Sequence, residues 1–346
     1  SSGSQNAGVI TAGEWNDLRN WSFWNDLMAR QELSDYQTRW GMFPNQRYSF
    51  EVKNSAGEPV TDATIILKNG STELWKARTD NKGHAELWLD LFATNSPQQP
   101  TMALIKRDGL ETTHANPQSV DGSVNQVVLD ASGKPDALDI AFIVDATGSM
   151  GDEINFLKSD LADVIQRVRG ANSSSGLNIR TGAVFYRDKN DAYLTRTSDL
   201  SSTDQTTLSF IGGQSAHGGG DTPEAVHSAL KETVEQLSWS SSARARIAFL
   251  LLDAPPHEEN QVIQSYHESV KMAAQKGIKL IPITASGIDK STEFLMRFSA
   301  IATNGTYVFI TNHSGVGNNH IEATVGQYEV EFLNDLMVRL LNEYVE

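Results

Sequence analysis

The sequence contains no cysteine in 346 residues, which excludes disulfide staples and thiolate metal centres, although the lack of thiols does not by itself fix a redox compartment. Positive charge is scarce as well: 28 Lys and Arg face 43 Asp and Glu, for a formal net charge of -15, and no basic run or basic-aromatic patch relieves it. Such a chain repels phosphate backbones and attracts divalent cations, so nucleic acid is not an expected partner. No apolar run approaches the roughly 20 residues of a membrane-spanning helix. The phosphate-cradling patterns G-x-x-x-x-G-K-[ST] and G-x-G-x-x-G are absent. The opening residues, "SSGSQNAG", carry no initiator Met and read as a remnant or a trimmed end, so that an export signal or lipid anchor would lie outside this sequence.

What is present fits a globular protein of about two domains, with 39% hydrophobic and 21% charged residues. The chain changes character near Pro44 and again within "ASGKPDAL", Ala131 to Leu138. Residues 1–43 form an aromatic-rich extension holding Trp15, Trp21, Trp24 and Trp40, too short for a domain and expected to wrap around one. Residues 44–130 alternate in strand fashion through "RYSFEVKN", "VTDATIILKNG", "ELWKARTD", "AELWLDL", "MALIKRD" and "VNQVVLD", with turn clusters between them, which predicts a small antiparallel β-sandwich. After a linker at 131–137, residues 138–346 switch to strands alternating with helices. The runs "LDIAFIVD", "ARIAFLLLD" and "IKLIPITA" read as strands buried on both faces. Helical spacing follows at Ile154, Leu157, Leu161, Val164 and Val168, and at Val226, Leu230, Val234 and Leu237. The fold class expected is α/β, a doubly wound, mostly parallel sheet preceded by an all-β sandwich. Ligand sites of such sheets lie at the carboxyl ends of the strands.

The stretch "DIAFIVDATGSMGDEI" puts Asp145 at such a strand end, with Thr147 and Ser149 in the loop that follows. One carboxylate and two hydroxyls turned toward a point suit a hard cation, Mg²⁺, Mn²⁺ or Ca²⁺, and not zinc. A second buried strand ends at Asp253 in "FLLLDAPPH", and "GGGDTPEAV" brings Asp221, Thr222 and Glu224 ahead of a helix. Three loops then converge on one cation. Ser149 followed by Asp152 also suits a helix N-cap, with Asp152 and Glu153 favoured by the helix dipole, but that reading leaves Asp145 and Asp253 unexplained.

The combination resembles the von Willebrand factor A (VWA) domain with its metal-ion-dependent adhesion site, whose pattern D-x-S-x-S is matched by Asp145, Thr147 and Ser149, with Thr for the first Ser. Asp253 matches the acid after the fourth strand. The D-T-P-E stretch at Asp221 to Glu224 is similar to the middle loop of the VWA-like domains of β integrins, which implies Glu224 as the metal ligand, with Thr222 as the alternative. In that branch Asp152 and Glu153 fall at an adjacent acidic metal site. Asp188 in "FYRDKND", and Asp221, fall at a flanking calcium site, where Gly219 departs from the Asn of those integrin domains. The sandwich resembles carboxypeptidase regulatory-like or transthyretin-like modules through "VKNSAGEPVTDATIILKNG" and "TDNKGHAELWL".

These resemblances imply a divalent-cation-dependent adhesion or protein-binding module that captures an exposed Asp or Glu of a partner protein, with Mg²⁺, Mn²⁺ or Ca²⁺ as cofactor. They also imply a bacterial periplasmic or cell-surface setting, secreted or lipid-anchored, and no enzymatic activity. An intracellular scaffold or assembly factor built on the same domain is the alternative. A hydrolase using Ser149, Asp253 and His257 is weaker, because "TGSMG" has Thr147 where a nucleophile elbow needs Gly. His217, His227, His257 and His267 lack the short spacing of a zinc site. Trp15, Trp21 and Trp24 are expected to pack between segments and not to line a sugar-binding surface.

Overall fold

The computed structural model describes residues 6–93, 98–219, 225–285, 288–312 and 322–346. The extension contributes β1 (Thr11–Trp15), α1 (Trp21–Met28) and α2 (Gln31–Trp40). An all-strand region follows: β2 (Arg47–Lys53), β3 (Thr64–Asn69), β4 (Thr72–Arg78), β5 (His84–Trp88), β6 (Met102–Arg107), β7 (Leu110–Ala115) and β8 (Asn125–Val128). The remainder alternates, with β9 (Ala137–Asp145), α3 (Gly151–Ala171), β10 (Asn178–Tyr186), β11 (Thr195–Ser201), α4 (Asp204–Gly212), α5 (Val226–Gln236), β12 (Ala245–Leu252) and α6 (Asn260–Lys276). It closes with β13 (Ile278–Thr284), α7 (Lys290–Ala302), β14 (Tyr307–Ile310), β15 (Glu331–Phe332) and α8 (Leu333–Glu343).

The large sheet runs β11-β10-β9-β12-β13-β14-β1-β15. Its five central strands, β10 to β14 in that order, pair in parallel, and antiparallel pairing is confined to the two edges. Period-two alternation divides β9 between two faces: Ala141 and Ile143 join the core with α5, α6 and α7, while Ile140, Phe142 and Val144 join the core with α3, α4 and α8. Helices on both faces leave no residue of β9 exposed, as its continuous apolar run requires. In α3, Ile154, Leu157, Leu161, Val164, Ile165 and Val168 are all buried, the stripe expected of a 3.6-residue period.

Residues 47–128 form two small sheets, β5-β2-β8 and β4-β3-β6-β7, which share one apolar interior through Phe50, Val52 and Leu87 on one side and Ile65, Leu67 and Ile105 on the other. Pairing is antiparallel except between β2 and β8, which run parallel. Strand β7 had no sequence signature, because "LETTHA" lies at a sheet edge with no fully buried residue and so shows no apolar alternation.

The extension does more than wrap. β1 inserts between β14 and β15, and Trp24 packs between Phe294 and Phe298 of α7. Arg297 of α7, wholly buried, donates to both carboxylate oxygens of Asp17 at 2.9 and 2.6 Å and to Glu293 at 2.9 Å. The strand region is held to the amino-terminal ends of the parallel strands. Asp62 accepts a bidentate pair from Arg246 at 2.9 and 2.9 Å, and Asp80 accepts from Lys279 and Asn304.

Near that junction Glu86 is buried against Arg47, Ser49 and His84. Burial pushes its carboxyl up, but the hydrogen bonds and charges of Arg47 and His84 outweigh this and hold it at about 2, below its ordinary 4.5. A depressed carboxyl adds stability that is fully present above the unfolded value and is lost as pH falls toward the folded one. The advantage of the wild-type chain over Glu86→Gln, read by urea unfolding, should therefore shrink by about 2 kcal/mol between pH 6 and pH 3. Parallel pH dependences for the two proteins would contradict the assignment.

Candidate functional site

The parallel register places Val144 of β9 opposite Leu251 of β12, so the acids that end or follow these strands, Asp145 and Asp253, emerge at the same edge of the sheet. Asp145 is fully buried. The chain then turns through extended Thr147 and a 3₁₀ turn over Gly148–Met150 into α3. This turn folds Thr147 back: its amide and hydroxyl donate to Asp145 Oδ1 at 2.9 and 2.6 Å, and its hydroxyl lies 3.2 Å from Ser149 Oγ. Ser149 is exposed at the rim.

The electrostatics at this edge are uncompensated. Burial, then the facing charge of Asp253, pushes the Asp145 carboxyl well above the usual carboxylate range. Asp145 Oδ2 and Asp253 Oδ1 are both sealed from solvent and accept from no N–H or hydroxyl among the described residues, so the two carboxyls can bond only to each other, through a proton that one of them takes up. The opposite end of β9 provides the contrast. Asp139 is equally buried but receives two hydrogen bonds from Arg180, at 3.1 and 3.0 Å, and two more from Ser240. A buried carboxylate without such partners costs several kcal/mol, and two facing each other cost more. Two orphaned carboxylate oxygens beside two hydroxyls make an all-oxygen donor set that fits a hard divalent cation.

Asp221, Thr222 and Glu224 lie outside the described residues, and among the described residues no three His, Asp or Glu side chains gather around one point. The residues leading into that loop are placed against the site. His217 N–H donates to Ala146 O at 3.0 Å, and Gly148 N–H donates to Gly218 O at 2.9 Å. A Cβ at Gly148 would stand 3.0 Å from Gly218 O, a tight contact that would push the two loops slightly apart.

On the first turn of α3, Asp152 is exposed and Glu153 is wholly buried, so the two neighbouring acids occupy different environments. Asp188 is buried, and its Oδ1 lies 3.0 Å from His257 Nε2. His257 is thus turned to Asp188, on the loop after β10, in place of forming a relay between Ser149 and Asp253. His267 is stacked on Phe92 at 4.4 Å with Nε2 donating to Trp40 O, a packing role. Trp15 packs on Phe23, and Trp21 on Trp88 beneath the Arg47 guanidinium.

Two residues with no sequence signature complete the surroundings. Arg187, buried after β10, donates to Ala146 O at 3.2 Å and Ser215 O at 2.9 Å. Asp191 accepts from Gly219 N–H with both oxygens, at 3.1 and 3.0 Å, and from Asp188 N–H at 2.9 Å. Their partners are backbone groups, which every residue carries, so no residue pattern announces them.

Asp145→Asn keeps an acceptor for Thr147 while removing a buried carboxyl that must either carry a charge facing Asp253 or take up a proton at a cost. In EDTA this variant should be about 1–2 kcal/mol more stable than the wild-type chain, the reverse of the usual effect of a core substitution. Denaturant unfolding of both proteins would measure it, and a less stable variant would mean that the pair is already compensated.

Comparison with known proteins agrees with the α/β fold of the C-terminal part of the chain. A stretch of 133 residues is 32% identical to a protein of Acanthamoeba polyphaga mimivirus named as an ariadne-like RING finger protein, covering 38% of this chain and 12% of that one. Another, of 135 residues, is 30% identical to an alpha-protein kinase of Dictyostelium discoideum, covering 38% of this chain and 21% of the kinase. The chain thus corresponds to only a small part of either relative. Residues 139–316, more than half of the chain, match the von Willebrand factor A domain, and the chain belongs to that family.

Proposed function

We propose that the chain is a protein-binding module of adhesion type that captures an acidic side chain of a partner through a divalent cation, Mg²⁺, Mn²⁺ or Ca²⁺, held at the carboxyl edge of the large sheet. The observation that carries this reading is the pair of sealed, unpartnered oxygens on Asp145 and Asp253. Asp145, Thr147, Ser149 and Asp253 would hold the cation together with Glu224, or Thr222 in its place. When bound, the cation supplies an electrophilic centre with a coordination position for a partner carboxylate. The chain's own contribution is orientation: Thr147 fixes the Asp145 carboxylate through its amide and hydroxyl, and Ser149 presents its hydroxyl at the exposed rim. Neutral hydroxyls in the donor set leave more of the cation's charge for the partner than carboxylates would.

The D-T-P-E loop supports an integrin β-like variant of the site, with Asp152, Glu153, Asp188 and Asp221 as acids of adjacent metal sites. The turn-rich strand region supports a carboxypeptidase regulatory-like or transthyretin-like sandwich, and with it a periplasmic or cell-surface setting for a binding protein without catalytic activity. A second reading, an intracellular scaffold that uses the domain as one module among others, is favoured by the relatives, in which the matched stretch makes up 12% and 21% of the length.

Calorimetry on chelator-stripped protein should detect one main site for Mg²⁺, Mn²⁺ or Ca²⁺. Glu224→Ala should weaken it by more than about tenfold, and Thr222→Val much less. The reverse order would assign the middle ligand to Thr222, and no heat from the wild-type chain at millimolar cation would refute the reading. Capture of a partner protein should disappear in EDTA, return with Mg²⁺ or Mn²⁺, and fail for Asp145→Ala. Because the bond is direct to the cation, capture should resist added salt better than a surface ion pair does. A partner held equally well by Asp145→Ala in EDTA would rule out the mechanism.

A further inference from the structure

The loop that leaves β10 touches the middle loop at both ends of its described stretch. Arg187 is 7% exposed, and its guanidinium bridges two backbone carbonyls on different loops, Ala146 of the turn after β9 and Ser215 of the middle loop. The guanidinium carbon of Arg187 lies 4.4 Å from the centre of the Tyr193 ring, a cation–π contact that helps to hold it in place. Four residues further on, Asp191 closes on Gly219 N–H with both carboxylate oxygens and on Asp188 N–H with one of them. A Cβ on Gly218 would come within 2.3 Å of Asp191 Oδ1, and Gly218 has φ +79°, so the contact depends on glycine twice over. Residues 215 to 219 are thereby gripped at their start by a cation and at their end by an anion, and the next residues carry Asp221, Thr222 and Glu224.

We infer that Arg187 and Asp191 form a positioning clamp that fixes the middle loop relative to Asp145 and so sets the cation affinity of the site. The inference rests on the proposed cation-binding reading and adds to it two residues that touch no cation. The physical basis is preorganisation. A loop ligand that must be ordered on binding spends part of its interaction on that ordering, and less is spent where residues 215 to 219 ahead of it are already tied by hydrogen bonds at both ends. Arg187→Lys retains the charge but cannot span two carbonyls on separate loops with a planar fork. Asp191→Asn retains an acceptor for Gly219 N–H and loses the charge, whereas Asp191→Ala loses both.

The test uses the full chain and two readouts. By calorimetry with Mg²⁺ and Mn²⁺, Arg187→Lys, Asp191→Ala and Gly218→Ala should each weaken binding by about tenfold, and Asp191→Asn should stay within about threefold of the wild-type chain. By hydrogen exchange in EDTA, with no cation available, Asp191→Ala should speed exchange at Gly219, and Arg187→Lys at His217, by about tenfold. An Asp191→Asn variant as weak as Asp191→Ala would make Asp191 a charge partner or a ligand and overturn the clamp. Wild-type affinity and unchanged exchange in Asp191→Ala and Arg187→Lys would overturn it as well, with the cation reading intact. Silence of the wild-type chain toward both cations would overturn the cation reading and the clamp's part in it, while the exchange data would still show whether the loop is held.

Discussion

Burial of β9 on both faces is the constraint from which the site follows. A strand flanked in parallel by β10 and β12 and covered by two helix layers has no exposed residue, so its two acids, Asp139 and Asp145, are carried into a medium where a bare carboxylate is costly. At the amino-terminal end the cost is offset by Arg180 and Ser240. At the carboxyl end the same strand meets a hydroxyl, an amide and a second acid. One end is electrostatically closed and structural. The other holds two buried acids without a basic partner among the described residues, on the edge where the loops of a parallel sheet gather.

The strand region is fastened at the far end of the sheet, while α2 of the extension reaches the carboxyl edge, where Arg39 pairs with Glu258 and Trp40 Nε1 donates to Ser291 O. Arg246 is the second residue of β12 and Asp253 follows its last, so the ion pair with Asp62 lies about 23 Å of extended strand away from the site. Asp80 meets Lys279 at the start of β13, on the same remote side. The extension is secured through Arg297, whose guanidinium sits wholly buried between Asp17 and Glu293 beside Trp24 and Phe294. Burial tends to raise the Asp17 carboxyl and Arg297 opposes it, a balance that makes this contact sensitive to loss of either partner. Together these contacts join three stretches of sequence into one packed body.

Much of this was legible from local pattern. The runs around β9, β12 and β13, with acids at strand ends and helical spacing between, specify parallel strands and a carboxyl-edge site, because periodicity and strand ends are properties of neighbouring residues. The all-strand character of residues 44–130 was likewise visible in alternation and turn residues. By itself, then, the sequence determined the α/β class, the order of the core elements and the candidacy of Asp145, Thr147, Ser149 and Asp253. Only the tertiary structure decided that β1 inserts between β14 and β15, that β2 and β8 pair in parallel, that His257 turns to Asp188, and that Arg187 and Asp191 grip the middle loop. Those contacts join residues far apart in the chain, many through backbone amides and carbonyls that look alike at every position. Their specificity arises from where folding places them and not from which residues they are.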